Sequence, residues 1–287
     1  MINQMIINAI VLGSTYALIA LGLTLIFGIM KIINFAHGQM YMLGTFVTYY
    51  IYNISGYNFF IVLLCTIFVL TFIGVVFERY LFQRVLIHAK REEVAMLLSV
   101  GTALLIESCA LIFFGEKRRG VKPIVEGVYH IFNAYIPVQR IFIFLVSISA
   151  IVIFLLLMQK TRTGRALRAL AQDKEVTYLM GVNVNKLSMI GYAIGASLAG
   201  ISGAILALEY PIFAGSGTSI SIKAFTMIMI GGAGVIPGAI IGGFILGIFE
   251  SFGYGIFGGT QTYLLIYAFL IVFLIFRPNG IMGKPWG

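Results

Sequence analysis

Residues 161–186 read TRTGRALRALAQDKEVTYLMGVNVNK and form the longest polar interval with helical character in an otherwise apolar chain. Six of the nineteen lysine and arginine residues lie between Lys160 and Lys186. Long apolar segments precede and follow the interval. A basic helical loop between two membrane spans is suited to bind another protein on the cytoplasmic side. We therefore predict a membrane protein whose fold is organised around this loop.

The composition also indicates a lipid environment. Of the 287 residues, 60% are hydrophobic and 10% are charged, whereas a soluble domain carries roughly 25% charged residues. Several charge-poor runs approach or exceed the roughly 20 residues with which a helix spans a bilayer. We predict one all-α polytopic membrane domain over residues 1–287, with about eight transmembrane segments, one or two of them broken or re-entrant.

Hydropathy places the predicted spans along the chain at about 5–30, 38–52, 59–77, 94–114, 140–158, 187–208, 222–252 and 262–276. The seventh of these is interrupted by a glycine-rich stretch, Gly231–Gly238. The second is short, and Asn34, His37 and Gln39 stand just before it or at its start. Either this span crosses with little tilt, or Lys31–Gly38 is broken backbone that enters the membrane under a cover of protein or water.

Lysine and arginine residues concentrate in loops, which is the positive-inside pattern of a membrane protein rather than the basic face of a nucleic-acid-binding domain. The 159–188 loop is the richest, so we predict that it lies in the cytoplasm with Arg79–Glu93 and the C-terminal tail. The 116–139 loop then lies outside, in spite of its four basic residues. This alternation requires the 222–252 segment to be a hairpin that is hinged at Gly231–Gly238 and has both ends outside.

The sixth span carries small residues four positions apart, namely Gly191, Gly195, Ala199, Gly203 and Ala207. This spacing places them on one helical face, where a second helix can approach closely. We predict that Gly191, Gly195 and Gly203 serve helix packing. The partner is either a helix of the same subunit or a moving or dimeric interface that lines a pathway.

Several classes of function lack their sequence signatures here. The chain contains no G-x-x-x-x-G-K-[ST] loop for ATP, no H-E-x-x-H pair and no cluster of cysteine and histidine for a metal. Cys65 and Cys109 lie inside apolar runs and are predicted to be free thiols. Asp173 is the single aspartate, so the chain does not fit an intramembrane aspartyl protease, which needs two. We predict that the protein is not an enzyme.

The 161–186 interval itself predicts two short helices. Thr163 is a favoured N-cap residue for the first, and Asp173 is suited to cap the second. Gly181 is expected to end the second helix, since glycine adopts the left-handed conformation of a C′ residue at little cost. Asn183 or Asn185 is predicted to cap the span that follows.

Arg165, Arg168 and Gln172 share one face of the first predicted helix, and apolar residues lie on another face. A basic amphipathic loop of this kind is also consistent with a solvated surface beside lipid headgroups. The pattern by itself therefore leaves the partner of the loop open.

Six segments carry a resemblance to a known family: GSTYALIALGLTLIFG (13–28), INFAHGQM (33–40), TGRALRALAQD (163–173), LMGVN (179–183), GGAGVIPGA (231–239) and RPNG (277–280). Together, and in this order, they resemble the permease family of branched-chain amino acid ABC transporters, the LivH-type subunit. The resemblance extends over nearly the whole chain. It implies import of leucine, isoleucine and valine through the plasma (inner) membrane.

The resemblance also implies partners. A solute-binding protein outside the cytoplasm delivers the solute, a second homologous permease subunit pairs with this chain, and two ATP-binding subunits dock on the cytoplasmic side. ATP and Mg²⁺ then belong to those subunits, and this chain needs no cofactor. The alternatives are the same machinery carrying urea, short amides or another amino acid, and a proton-coupled secondary transporter that uses Glu107 and Glu250, the acids well inside apolar runs.

By the same resemblance, the ATPase-coupling element extends from Arg165 to Gly181. Its expected contacts, unless they only position the loop, are Arg165, Arg168, Gln172, Asp173, Glu175 and Gly181. The residues expected along the translocation pathway are Asn34, His37, Gln39, Gly231, Gly232, Gly234 and Pro237. Helix N-termini at the glycine-rich break could offer N–H groups to a carboxylate. For the three polar residues, the alternative is interhelical hydrogen bonding that holds the broken backbone.

Overall fold

Helices make up about four fifths of the structure, a computed structural model that describes residues 2–88, 92–131 and 134–283. In chain order the helices are α1 (Ile2–Met30), α2 (His37–Thr48), α3 (Phe59–Phe77), α4 (Gln83–His88), α5 (Glu92–Phe114), α6 (Val138–Lys160), α7 (Arg162–Gln172), α8 (Lys174–Leu179), α9 (Val184–Leu206), α10 (Ser216–Gly231), α11 (Ile236–Ile256) and α12 (Gly259–Phe276). A π-helical turn, Tyr49–Ile54, extends α2, and a second, Glu78–Phe82, joins α3 to α4. The prediction of an all-α polytopic membrane protein is confirmed.

Seven helices of the described ranges are long and apolar enough to cross a membrane, namely Ile2–Met30, Phe59–Val85, Glu93–Phe114, Val138–Lys160, Val184–Leu206, Ile236–Ile256 and Gly259–Phe276. The shorter helices α2 and α10 both begin inside the bundle, where Gly38 and Gly217 are buried against each other. Each is preceded by non-helical chain that leads into the bundle. The prediction of about eight segments with broken helices is consistent with this arrangement.

A small antiparallel hairpin marks one end of the bundle. It consists of β1 (Val128–Ile131) and β2 (Ala134–Pro137), with Val128 opposite Pro137. The backbone N–H of Tyr135 donates to Gln4 Oε1 at 2.9 Å. The hairpin therefore lies beside the first turn of α1, and we call this end the hairpin end.

The opposite end, which we call the loop end, carries α7, α8 and the tail after α12. Ile281 N donates to the carbonyl of Ile230 at 2.9 Å, and Met282 N donates to that of Gly231 at 3.1 Å. The tail thus packs on the turn between α10 and α11. That turn is the glycine-rich hinge, so α10 and α11 form the predicted helical hairpin with its bend at the loop end.

Helix α1 forms the centre of the bundle and is buried on all sides over most of its length. α11 approaches it at backbone distance, because a Cβ on Gly243 would overlap the backbone of Ala17 and a Cβ on Gly247 would overlap that of Gly13. In lipid, where no hydrophobic force drives helices together, such close approach is a principal source of association. The glycines of α11 therefore fix its position on α1.

The small face of α9 receives two neighbouring helices of the same chain. A Cβ on Gly195 would lie 2.8 Å from the carbonyl oxygen of Gly22 in α1, and a Cβ on Gly191 would overlap the side chain of Ile29. Further along, Gly203 packs against the carbonyl of Tyr41 in α2. The four-residue spacing of small residues thus serves packing within this subunit.

Two sequence-based boundaries were wrong. Arg79–Glu93 was predicted as a loop, but the described part of it continues α3 as helix through His88, and the guanidinium groups of Arg79 and Arg84 lie over the ring of Tyr80. Charged residues can extend a membrane helix beyond its apolar run, and a hydropathy profile does not detect such an extension. Likewise α10 begins at Ser216, six residues before the predicted start of the 222–252 span, and Ser216 and Gly217 in its first turn are buried in the bundle.

Candidate functional site

At the loop end, hydrogen bonds between side chains and backbone set the start of each helix. Thr161 Oγ1 accepts from Gly164 N at 2.9 Å and caps α7. The prediction of Thr163 as this cap was therefore wrong, because the helix begins directly after α6 ends. Asp173 Oδ1 accepts from Glu175 N and Val176 N at 2.8 and 2.9 Å, which confirms the predicted cap of α8.

The end of α8 and the start of α9 also follow the predictions. Gly181 has a φ of 78°, which is the left-handed conformation expected after a helix. Asn183 Oδ1 accepts from Lys186 N at 3.0 Å and caps α9. These two residues thus form the turn by which the loop returns to the bundle.

The predicted coupling residues divide into two groups. Five of them project into solvent at the loop end, namely Arg165, Gln172, Asp173, Glu175 and Gly181. Arg168 is half-buried instead, and its guanidinium donates to the carbonyl of Met158 in α6. Arg168 thus ties α7 to α6, whereas the side chains of Arg165, Gln172 and Glu175 remain available to another protein.

Exposed apolar side chains on α8 are a feature that the sequence-based prediction missed. Leu179 and Met180 are 81% and 78% exposed, and Val176 and Tyr178 are exposed beside them. We call these four residues the α8 patch. A contiguous apolar surface in a polar loop is typical of a protein interface. The signal was present in the sequence as four apolar residues within EVTYLM, residues 175–180.

Helix α7 holds the α8 patch firmly on the bundle. Leu167 and Leu170 are almost fully buried, and Gly164 lies so close to the backbone of Leu157 and Met158 that a Cβ would overlap it. A force applied at α8 would therefore be transmitted to α6 and α9 through packed side chains rather than through a loose loop.

Inside the bundle, the broken backbone before α2 is held by side chains of other helices. Asn34 Nδ2 donates to the hydroxyl of Tyr192 at 2.8 Å, while its Oδ1 accepts from Ala36 N at 3.1 Å. His37 Nε2 lies 3.2 Å from the carbonyl of Ile19. Non-helical backbone at membrane depth needs such partners, because lipid supplies none.

Two serines complete these contacts. Ser99 Oγ accepts from Phe35 N at 3.1 Å. Ser221 Oγ donates to the carbonyl of Phe35 at 2.9 Å and accepts from Gly38 N at 3.1 Å. For Asn34 and His37, which are buried, the geometry therefore favours the role of holding the break.

Gln39 lies where α2, α5 and α10 meet. Its Nε2 is 3.2 Å from Glu107 Oε2 and 3.2 Å from Thr218 Oγ1. The Thr218 hydroxyl in turn donates to Glu107 Oε2 at 2.6 Å. We call Gln39, Glu107 and Thr218 the three-helix junction. Thr218 belongs to the first turn of α10, and this turn has no side-chain cap.

The glycine-rich hinge lies away from that junction. Gly232 and Gly234 have φ values of 106° and 79°, and Pro237 stands in the first turn of α11. The hinge borders a cavity of about 1080 Å³ at the loop end, which is also lined by Lys31 and Arg168. The structure therefore does not bring the two predicted pathway groups together. The intramembrane helix N-termini that face each other belong to α2 and α10, not to α11.

A buried ion pair, also missed from the sequence, connects three helices. Lys223 Nζ of α10 lies 2.6 Å from Glu250 Oε1 of α11, and it donates to the hydroxyl of Tyr16 in α1 at 2.8 Å. The two charged side chains are 13% and 2% exposed. A buried pair of this kind compensates both charges within the membrane span. Glu250 is consequently not an isolated acid.

The hairpin end holds a second cavity, of about 420 Å³, near the first turns of α1. Arg140 and Glu209 form an ion pair of 2.5 Å on its wall, and the Arg140 guanidinium also donates to Asn8 Oδ1. Burial, followed by the charge of Glu209, raises the pKa of the neighbouring Tyr210 hydroxyl well above its usual range. Tyr210 therefore stays neutral at physiological pH. Within the described residues, no three histidine, cysteine, aspartate or glutamate side chains are grouped for a metal.

Comparison with known proteins identifies relatives of the whole chain. A family model for the permease component of the branched-chain amino acid transport system matches residues 5–275. The chain is 31% identical to the high-affinity branched-chain amino acid transport system permease protein BraD of Pseudomonas aeruginosa, over 98% of this chain and 96% of BraD. It is also 31% identical, with the same coverage, to the LivH permease protein of that system in Escherichia coli. The ribose import permease protein RbsC of Escherichia coli is 31% identical over only 41% of this chain and 39% of its own length.

Proposed function

This chain belongs to the family of branched-chain amino acid transport permease components, and we propose that it is the membrane-spanning subunit of an ATP-driven importer. On this proposal, two separate ATP-binding subunits, which carry ATP and Mg²⁺, dock at the loop end, and the loop end faces the cytoplasm. The chain itself has no ATPase site. The membrane is the plasma membrane, or the inner membrane of a cell that has two.

The observation that carries the proposal is the α8 patch on a firmly packed α7. A surface of exposed apolar side chains, bordered by Asp173 and Glu175, supplies what a docking site needs: an apolar centre and a polar rim. Because α7 is packed against α6 and α9, movement of a docked subunit would reach the spans directly. Arg165 and Gln172 add polar contacts beside the patch.

A second permease subunit and an extracytoplasmic solute-binding protein complete the proposed assembly. Thr218 is exposed and Glu107 is half-buried at the three-helix junction, which supports a second subunit beside this face, since polar side chains in a span normally face protein or water rather than lipid. The hairpin end, opposite to the α8 patch, would then receive the solute-binding protein. The proposed solutes are leucine, isoleucine and valine, the class that the names of BraD and LivH give for those relatives.

Proton-coupled transport is the competing possibility, and the ion pair weighs against it. Of the two acids on which it would depend, Glu250 is paired with Lys223 at 2.6 Å. A proton carrier must gain and lose its proton during transport, and a protonated Glu250 would leave the buried charge of Lys223 without its partner.

The test is uptake of labelled leucine into proteoliposomes that contain the complete transporter, with solute-binding protein outside. One set encloses ATP and Mg²⁺, and a second set has only a proton gradient, inside alkaline. Uptake that needs enclosed ATP is the expected result. Uptake driven by the gradient alone would overturn the proposal. Urea, short amides or ribose are added in excess as competitors, and inhibition of leucine uptake by one of them would reveal a different solute.

A further inference from the structure

Glu107 is an acid that lies within a membrane span. It lies in α5, seven residues before the last residue, Phe114, and thus roughly 10 Å from the hairpin end of that helix. Within the described residues, the ion pairs are Arg140–Glu209 and Lys223–Glu250. No lysine or arginine of those ranges pairs with Glu107.

The contacts of Glu107 leave one of its oxygens open. Both hydrogen bonds that it accepts from described residues, those of Gln39 and Thr218, end on Oε2. The residue is half-buried, so Oε1 is not enclosed by this chain. Glu107 is therefore a fixed carboxylate with one oxygen held and the other available.

A second polar atom in the junction also lacks a partner among the described residues. Gln39 is fully buried, and its Oε1 accepts no hydrogen bond there, although its Nε2 bonds both other members of the junction. That oxygen is enclosed by this chain, since a Cβ on Gly217 would overlap it, so Glu107 Oε1 is the acceptor of the junction that a ligand from outside can reach. Burying an unpaired carboxylate in apolar surroundings is costly, so the junction is suited to a group that is both cationic and rich in donors.

We propose that the three-helix junction binds the ammonium group of the transported solute, with Glu107 Oε1 as its acceptor. An ammonium carries three donors and a positive charge. Urea, amides and sugars lack that charge, so the junction selects solutes with a protonated amine, such as zwitterionic amino acids. This inference rests on the proposed function, because it assigns a part of the pathway to the solute of that transporter.

The test compares ATP-driven leucine uptake by wild type, Glu107→Gln, Glu107→Asp and Glu126→Gln in the same proteoliposomes. Glu126 is exposed on the loop before β1 and serves as the matched control. Glu107→Gln should lower uptake about tenfold or more, because it removes a charged hydrogen-bond acceptor. Glu107→Asp should restore part of the uptake, and Glu126→Gln should leave it unchanged.

Two further measurements distinguish a loss of solute binding from a loss of ATP hydrolysis or of subunit assembly. ATP hydrolysis stimulated by the solute-binding protein, and co-purification of all subunits, should persist in Glu107→Gln. Wild-type uptake by this variant would overturn the inference. Failure of the second permease subunit to co-purify with Glu107→Gln would also overturn it, because that result would show that the carboxylate pairs with the second subunit rather than with the solute. If wild type itself shows no ATP-driven uptake, the proposed function fails instead.

A charge-rescue experiment covers the case in which Glu107→Gln does not assemble. Cys65 and Cys109 are free, so both are first replaced by alanine, and Glu107→Cys is added. Treatment with a methanethiosulfonate that carries a sulfonate should restore uptake, whereas the reagent that carries an amine should not. Equal uptake after both reagents would contradict a need for negative charge at this position.

Discussion

Tyr16 and Glu250 are 234 positions apart in the sequence, yet the hydroxyl of Tyr16 donates to Glu250 Oε2 at 2.6 Å. Lys223 bonds both groups, so one polar cluster joins α1, α10 and α11. The cluster lies beside the glycine contacts that bring α11 against α1. The cluster therefore fixes the axial position of α11 along α1, which contacts between small residues alone would leave less specific.

Removal of one charge from this cluster should destabilise the protein more than removal of both. Glu250→Gln leaves Lys223 charged and unpaired, and breaking a buried pair in this way costs about 3–5 kcal/mol. Lys223→Met together with Glu250→Leu should be closer to wild type. Thermal unfolding in detergent, with Glu126→Gln as the control, measures the difference. A double variant that unfolds as early as Glu250→Gln would contradict the pairing.

A methyl group should be tolerated at one helical glycine and not at another. Gly243→Ala forces its Cβ into the backbone of Ala17, and such overpacking costs about 1–3 kcal/mol. Gly101→Ala in α5 meets no atom within 4 Å, so it should be neutral or should stabilise by about 0.5–1 kcal/mol through helix propensity. Melting temperatures of the two purified variants provide the comparison, and equal shifts would argue against the α1–α11 contact.

A charge in the α8 patch should prevent docking without unfolding the protein. Leu179 is exposed and packs on little of its own chain, so Leu179→Asp should leave the melting temperature unchanged. Its burial at an interface would make it a candidate hot spot, and co-purification of the ATP-binding subunits should fall by about tenfold or more. Lys186→Asp is the control at the same end of the bundle. Normal co-purification with Leu179→Asp would show that the patch is not the docking surface.

Removal of the N-cap of α8 should loosen α8 and leave the neighbouring helices unchanged. Asp173→Ala removes the acceptor for Glu175 N and Val176 N, and loss of an N-cap costs about 1 kcal/mol. Hydrogen exchange should quicken at the amides of α8 and remain unchanged in α9. Asp173→Asn keeps a capping oxygen and should preserve protection; if it exchanges as fast as the alanine variant, the cap is not what orders α8.

Most helices, and the caps of α8 and α9, could be predicted because their causes are local. The apolar run of 59–77 matches α3, and Asp173, Gly181 and Asn183 act on backbone within three residues of themselves. The small residues of α9 could likewise be assigned to packing, since helical geometry places them on one face. What stayed open was which helix they contact, because spacing carries no information about the partner.

The polar clusters could not be predicted because their members are distant in sequence. Gln39 meets Glu107 and Thr218, which follow it by 68 and 179 residues. Lys223 stands alone in an apolar segment, and nothing near it indicates that Glu250 neutralises it. Glu107 and Glu250 have the same setting in the sequence, and only the fold shows that Glu250 pairs with Lys223, whereas no described lysine or arginine pairs with Glu107.

The position of α1 has a consequence for biosynthesis. Buried residues account for 94% of its most apolar stretch. Three of the helices that cover it, α9, α10 and α11, are synthesised late, and α12 is the helix that follows them. At about 5–20 residues per second, roughly 10–40 s separate the completion of α1 from the start of α11. During that time α1 lacks the helix that packs against Gly13 and Ala17, and Tyr16 lacks Glu250. Its strong hydropathy therefore serves the unfinished chain, and its glycine contacts serve the finished one.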